Sequence, residues 1–177
     1  MIWFRHTDPD DPFLREEAAQ PAARWHGEDE GPVQYLSDTP DGAWAEFLRH
    51  EEITEERDLE GVRRALWAVE VREDSERIGR PRLFRRTLRG GVDSYEACRK
   101  EARRLRARGV TAIEAPGAAL RPGAARGQLV RGDKLVEASA LDGRTLALLG
   151  PRPEVRGWLC ADSARPTGRV LALVNHF

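Results

Sequence analysis

The feature that most constrains this chain is the run Val33-Gln-Tyr-Leu-Ser-Asp-Thr-Pro40, which forces a strand to end and a helix to begin in quick succession. Residues 33–37 (VQYLS) read as a strand between Pro32 and the turn-prone Ser37–Asp38 pair. Thr39 then stands before Pro40, pairing an N-cap hydroxyl with a first helical residue whose missing N–H would have no partner anyway. The helix so opened is expected to run to about Glu52. Gly42, Ala43, Arg49 and His50 stand at i−4, i−3, i+3 and i+4 from Glu46, so they share its face, while Trp44, Phe47 and Leu48 lie off it and can enter a core. Glu46 therefore projects over a small-residue patch that a ligand can approach closely.

The remaining elements are short. Residues 2–5 (IWFR) form a strand stopped by the acidic, proline-containing stretch Asp8–Pro12, and a short helix is expected around 58–66. LWAVEVR (66–72) alternates with period two and reads as a strand, whereas 73–92 is charged and irregular. Asp93 with Glu96 has the spacing of a capping box. It would open a helix whose apolar stripe is Tyr95, Cys98, Ala102 and Leu105 and whose C-terminal stop is Gly109. VTAIEA (110–115), RTLALLG (144–150) and RVLALV (169–174) complete the strand expectations. Short strands among a few helices, without regular βαβ alternation, predict a single α+β domain spanning 1–177. Residues 116–143 are rich in Gly and Ala and poorly periodic, which marks a long loop or insertion.

Composition narrows the function classes. The 29 basic and 30 acidic residues nearly cancel to a net charge of −1, unlike a protein built to grip nucleic-acid phosphates. Within RKEARRLRARG (99–109), Arg99, Arg103 and Arg106 fall on the outer face of an amphipathic helix, which a solvated surface explains better than RNA binding. An arginine-rich nucleic-acid module thus stays a minor alternative. Cys98 and Cys160 cannot make a disulfide framework, and their spacing suits no metal site. No apolar run approaches membrane-spanning length, and the N-terminus carries acids where a signal peptide needs basic and then apolar blocks. The expectation is a protein of the reducing cytoplasm.

The segment ARWHGEDEGPVQYLSDTPDGAWAEFLRHEE (23–52) is the most informative. Arg24, Tyr35 and Glu46 are spaced by eleven and eleven residues, on an entry loop, a strand and a helix. Each also has an ordinary role: Arg24 as a surface arginine, Tyr35 as a strand residue facing the core, Glu46 as a surface carboxylate paired with Arg49 or His50. Taken together, the Arg–aromatic pair, the Gly/Pro turn, the Val-x-Tyr-Leu strand and the Ala-x-x-Glu helix resemble the RES domain family, named for its Arg, Glu and Ser residues. The resemblance runs from the Trp3–Arg5 strand to LALLGPR (146–152), giving a core of about 1–152, and is more specific in the first half.

The resemblance implies an ADP-ribosyltransferase-like α+β fold, with split mixed or antiparallel sheets and flanking helices, that binds NAD as substrate. Many members are toxins of bacterial toxin–antitoxin pairs, restrained by an antitoxin that would carry a DNA-binding helix-turn-helix. Arg24 would hold the NAD phosphates, with Arg5 also among the binding residues. Tyr35 would contact the nicotinamide side, and Glu46 would act as the catalytic carboxylate on the nicotinamide ribose. Breaking the nicotinamide–ribose bond passes through an oxocarbenium-like state, so a nearby carboxylate is worth several kcal/mol. Nicotinamide leaves as a neutral molecule, and the chemistry needs no metal. Hydrolysis, phosphorolysis and transfer to a protein all remain open.

The sequence departs from the family at its third namesake. The serine of a Pro-Ser-Ala turn corresponds to Gly117 in IEAPGAAL, an alternative register placing Ser139 nearer the following strand. His26 stands where members often carry Asn. Gly117 can lend a ligand only a backbone N–H, and losing one side-chain hydrogen bond typically costs about 1 kcal/mol. A catalytically impaired RES-like binding or regulatory protein is therefore the second expectation.

Overall fold

The computed structural model describes every residue of the chain except Ala18. Seven strands form one sheet: β1 (Ile2–Thr7), β2 (Val33–Ser37), β3 (Arg64–Glu70), β4 (Ile78–Gly79), β5 (Ala112–Pro116), β8 (Arg144–Leu149) and β9 (Arg156–Ala164). Their order is β4-β5-β8-β2-β1-β3-β9, and only the β4–β5 pair is parallel. Between β5 and β8 a separate hairpin, β6 (Gln128–Arg131) and β7 (Lys134–Glu137), stands apart with most of its residues exposed. Four helices complete the α+β fold: α1 (Pro40–His50), α2 (Arg85–Leu88), α3 (Tyr95–Arg106) and α4 (Gly168–Leu171). No helix among the described residues is long and apolar enough to cross a membrane.

The sheet is nearly divided at its middle. β1 pairs with β3 from Ile2–Glu70 to Thr7–Ala65, and β2 pairs with β8 from Val33–Leu149 to Ser37–Thr145. β1 and β2 themselves meet in register only at Phe4–Ser37. Beyond that point side chains replace the missing ladder: Arg5 donates Nη1 to Gln34 Oε1, and Gln34 donates Nε2 to the Arg15 carbonyl. Gln34 is fully buried, so its amide needs these partners.

Three apolar clusters fill the molecule. Because Phe4 and Ser37 face each other, Phe4, Val33 and Tyr35 share one face of the sheet. On that face α1 packs over β3 and β9 through Trp44, Phe47, Leu48 and Leu66, with Phe4 at the edge. α3 packs over β2, β5 and β8 through Cys98, Ala102, Leu105, Val33, Ile113 and Ala147, with Tyr35 partly buried against them. The opposite face is sealed by Trp3, Leu36, Val69, Leu146 and Leu148, with Phe13 folded over them. The two helices thus flank the open seam between β1 and β2.

Local signals explain most boundaries. Thr39 has extended backbone and its Oγ1 accepts from Gly42 N at 3.1 Å, the expected cap of α1. The helix stops at His50, short of Glu52, because Glu52 takes φ +53. Gly109 takes φ +80 after α3, which makes glycine the natural residue there.

Several expectations are corrected. The Asp93–Glu96 capping box does not form: Val92–Ser94 is a 3₁₀ turn feeding α3, and Glu96 pairs with Arg103 at 2.8 Å. RVLALV is not a strand: its first three residues belong to α4, where Thr167 caps Val170 N and turns the chain, and the rest follows as a turn; apolar runs this short carry no decisive period. The helix expected at 58–66 shrinks to a 3₁₀ turn at Glu56–Leu59, with β3 already begun at Arg64. The long β9 went unseen because it is an edge strand whose residues are mostly exposed, leaving no buried alternation to read. Residues 116–143 contain the β6–β7 hairpin, turned at Gly132 with φ +64.

Candidate functional site

The seam between β1 and β2 opens into a cleft of about 220 Å³, walled by α1 on one side and the start of α3 on the other. Arg5, Arg24, Tyr35 and Glu46 all line it, although 41 residues separate the first from the last in sequence. Ala43, Arg49 and His50 join Glu46 on the α1 wall, as the helical spacing predicts. Gly42 falls just outside, in a narrow crevice behind Glu46 that it shares with Gly117.

Glu46 is partly exposed, with His50 Nε2 at 3.7 Å from its Oε2. Among the described residues no other cation lies within salt-bridge reach of this carboxylate, so Arg49 is not its partner. Instead Arg49 is buried and turns toward main-chain oxygens. Its Nη1 donates to the Ala118 carbonyl and its Nη2 to Gly90 O at 3.2 Å, while Nε finds no partner. The Phe177 ring caps the guanidinium at 4.2 Å. Burial pushes the Arg49 pKa down, Arg24 adds to that, and the Glu46 charge opposes it.

Arg24 converges on the same place. Its Nη2 donates to Gly90 O at 2.7 Å and its Nη1 to Ser94 Oγ at 3.2 Å, and it lies over the Tyr95 ring at 4.7 Å. Two guanidiniums therefore share one neutral carbonyl. Arg5 also lacks a carboxylate within 4.0 Å among the described residues, and burial, helped by Arg15 and Arg64, holds its pKa down at about 10. Three arginines against one carboxylate leave the cleft with an excess of positive charge.

Tyr35 packs toward the core as a strand residue does and also borders the cleft. Its ring is half-buried against the α3 cluster and lines the cleft. Its hydroxyl accepts from Trp25 N at 2.9 Å and lies 3.0 Å from His26 Nδ1. With the Trp25 N–H as donor, the phenol oxygen either donates to His26 Nδ1 or accepts from it, according to the imidazole tautomer. This clamp holds the turn that carries Arg24. Burial raises the Tyr35 pKa above its ordinary value, so the phenol stays protonated.

Gly117 corrects one expectation. Its N–H donates to Gly143 O at 2.7 Å and is not available to a ligand. A Cβ built there would stand 3.2 Å from the Gly143 carbonyl carbon and oxygen, so even a small side chain is crowded. Gly117 lines the crevice behind Glu46 and not the main cleft. Ser139, the alternative register, lies beyond β7 and lines neither space.

Two cleft-lining side chains received no site role from the sequence. Arg49 was placed on the right helix face but only as a partner for Glu46. His6 lines the cleft as well, where burial and the Arg64 and Arg5 charges lower its pKa to about 3 and keep it neutral. Only the strand register, which aligns His6 beside the α1 wall, reveals it.

The sequence pattern of the RES domain matches residues 2–148. The chain belongs to the RES domain family. The match covers β1 through all but the end of β8, so it includes both strands of the seam and the α1 wall of this RES site. Among curated proteins no match is found.

Proposed function

We propose that this RES protein binds NAD in the β1–β2 cleft and cleaves its nicotinamide–ribose bond, acting as the toxin of a toxin–antitoxin pair. The observation that carries the reading is the convergence of Arg24 and Arg49 on Gly90 O beside the lone carboxylate of Glu46. A diphosphate supplies the charge that a neutral carbonyl lacks, and its oxygens suit planar guanidinium forks. Glu46, on the α1 wall, would stabilise the positive charge that grows on the ribose as the C1′–N bond breaks. The bonding electrons stay with the nicotinamide nitrogen, which departs neutral, and an acceptor nucleophile closes on C1′.

The test follows nicotinamide release from NAD by purified wild type and by Glu46→Gln. Release by wild type, a fall of at least about 100-fold in the variant and NAD affinity kept within threefold are expected, since removing one transition-state electrostatic contact costs on that scale. Unimpaired turnover in Glu46→Gln would sink the assignment. Expression of wild type, but not of the variant, should halt bacterial growth and deplete cellular NAD.

A second reading, a RES-like binding protein of low activity, is favoured by Gly117, whose amide is spent on Gly143 O. The same assay separates the two: saturable NAD binding without nicotinamide release selects the second.

A further inference from the structure

Residues 149–177 lie beyond the family match, yet the end of this stretch returns to the site. After α4 the chain runs beside the residues that follow β5. Arg121 N donates to Leu173 O at 2.9 Å, Leu120 and Val174 form an antiparallel bridge, and Asn175 N donates to Ala119 O at 2.6 Å. Val174 is buried in the α1 cluster, so packing holds this strap as well as hydrogen bonds. Asn175 Nδ2 then donates to Ala118 O at 3.0 Å, the same carbonyl that receives Arg49 Nη1.

Two residues on, Phe177 lies over the Arg49 guanidinium at 4.2 Å. Its ring also meets the His50 ring edge-on, with centroids 6.1 Å apart. On its other side it reaches Gly91, where a built Cβ would stand 3.5 Å from Cδ1. One aromatic side chain therefore touches the α1 wall, Arg49, and the neighbour of the carbonyl on which Arg24 and Arg49 converge. Phe177 does not itself line the cleft, and it is 54% exposed, so core packing does not account for its placement.

Arg49 gains from such a support. Its two hydrogen bonds engage only part of the guanidinium fork, and its Nε–H stays buried without a partner. A long side chain with spare donors loses rotamer freedom when it grips an anion. A ring stacked on the guanidinium, tied through Asn175 to the loop after β5, removes that freedom before a ligand arrives and adds cation–π attraction.

We propose that Phe177 is a positioning residue of the anion site, holding the Arg49 guanidinium oriented for the phosphates of the ligand from a segment outside the family pattern. The inference rests on the NAD reading above and adds to it a residue that acts through Arg49.

Phe177→Leu keeps an apolar side chain but removes the π-face, whereas Phe177→Tyr keeps that face. Calorimetry with pyrophosphate reads the anion site apart from catalysis, and nicotinamide release gives kcat and KM for NAD. Phe177→Leu is expected to weaken pyrophosphate binding and raise KM about two- to fivefold, the scale of one partly exposed cation–π contact, with kcat held within about twofold. The melting temperature should not move, and Phe177→Tyr should restore both constants. In an Arg49→Met background Phe177→Leu should have no further effect. No pyrophosphate binding by wild type, an unchanged affinity in Phe177→Leu, an equal loss in Phe177→Tyr, or the same loss with Arg49 already replaced each overturns the proposal. Pyrophosphate binding that responds to Phe177→Leu, without nicotinamide release by wild type, refutes the glycosidic reading and leaves Phe177 in its role. Release that Phe177→Leu leaves untouched, with pyrophosphate binding also untouched, does the reverse.

Discussion

Replacing Arg49 by Met should cost ligand affinity without costing stability, because the geometry separates these two effects. Arg24 and Arg49 donate to Gly90 O at 2.7 and 3.2 Å, so their donating nitrogens stand no more than about 6 Å apart. Two like charges at ~6 Å repel by about 3 kcal/mol at an effective dielectric constant near 20. No carboxylate within 4.0 Å among the described residues offsets that for either guanidinium. The carbonyls that Arg49 serves both keep another donor: Gly90 O retains Arg24, and Ala118 O retains Asn175 Nδ2 at 3.0 Å. Truncation therefore strands no buried acceptor, and methionine fills much of the same apolar volume under Phe177. The relief of repulsion offsets the lost hydrogen bonds, each worth about 1 kcal/mol net. Thermal and urea denaturation should give Arg49→Met a stability equal to or above that of wild type. The same substitution removes a charge-assisted contact to phosphate worth about 1.5–3 kcal/mol, so NAD should bind roughly 10- to 150-fold more weakly by calorimetry. Pyrophosphate should raise the melting temperature of wild type more than that of the variant. A variant destabilised by more than about 2 kcal/mol that binds NAD as wild type does would refute the reasoning, since Arg49 would then be a structural residue.

Tyr35→Phe should leave the buried Trp25 N–H without its acceptor and lower stability by about 1–3 kcal/mol, a fall of roughly 2–4 °C in melting temperature per kcal/mol. NAD affinity should drop as well, because the turn bearing Arg24 loosens; an unchanged melting curve would show the clamp to be idle. His6 has an ordinary pKa of 6.5 that falls to about 3 in the fold, so between those values unfolding takes up a proton and stability declines as pH is lowered. Denaturation from pH 7 to pH 3 should show a slope of up to about 1.4 kcal/mol per pH unit that His6→Gln flattens. Gly117→Ser brings a Cβ to 3.2 Å from the Gly143 carbonyl and should destabilise by about 1 kcal/mol or more without raising turnover. A gain in nicotinamide release from that variant would show that the crevice behind Glu46 has room for the family's hydroxyl.

Much of the fold was legible wherever a local signal and a buried face coincide. Thr39 and Pro40 mark the start of α1, Gly109 the end of α3, and the apolar stripe from Tyr95 to Leu105 the face that α3 buries. The signal failed where burial is one-sided or absent. The β9 edge strand and the β6–β7 hairpin expose most of their side chains, so neither shows the alternation that betrays a strand. RVLALV failed for the opposite reason, since an apolar run of that length suits either a strand or a helix until the Thr167 cap settles it.

For the site, the sequence determined which residue types are present and which face of α1 carries Glu46, because helical spacing is a local property. It also carried the family resemblance, which the match over residues 2–148 bears out. Only the tertiary structure decided who meets whom. The single register pair between β1 and β2 opens the cleft, and the packing of α3 brings Gly90 under both Arg24 and Arg49. Gly117 gives its N–H to Gly143 O for the same reason: it depends on how β8 docks beside β5. Contacts between residues distant in sequence follow from the way the sheet and helices pack, and no spacing along the chain encodes them.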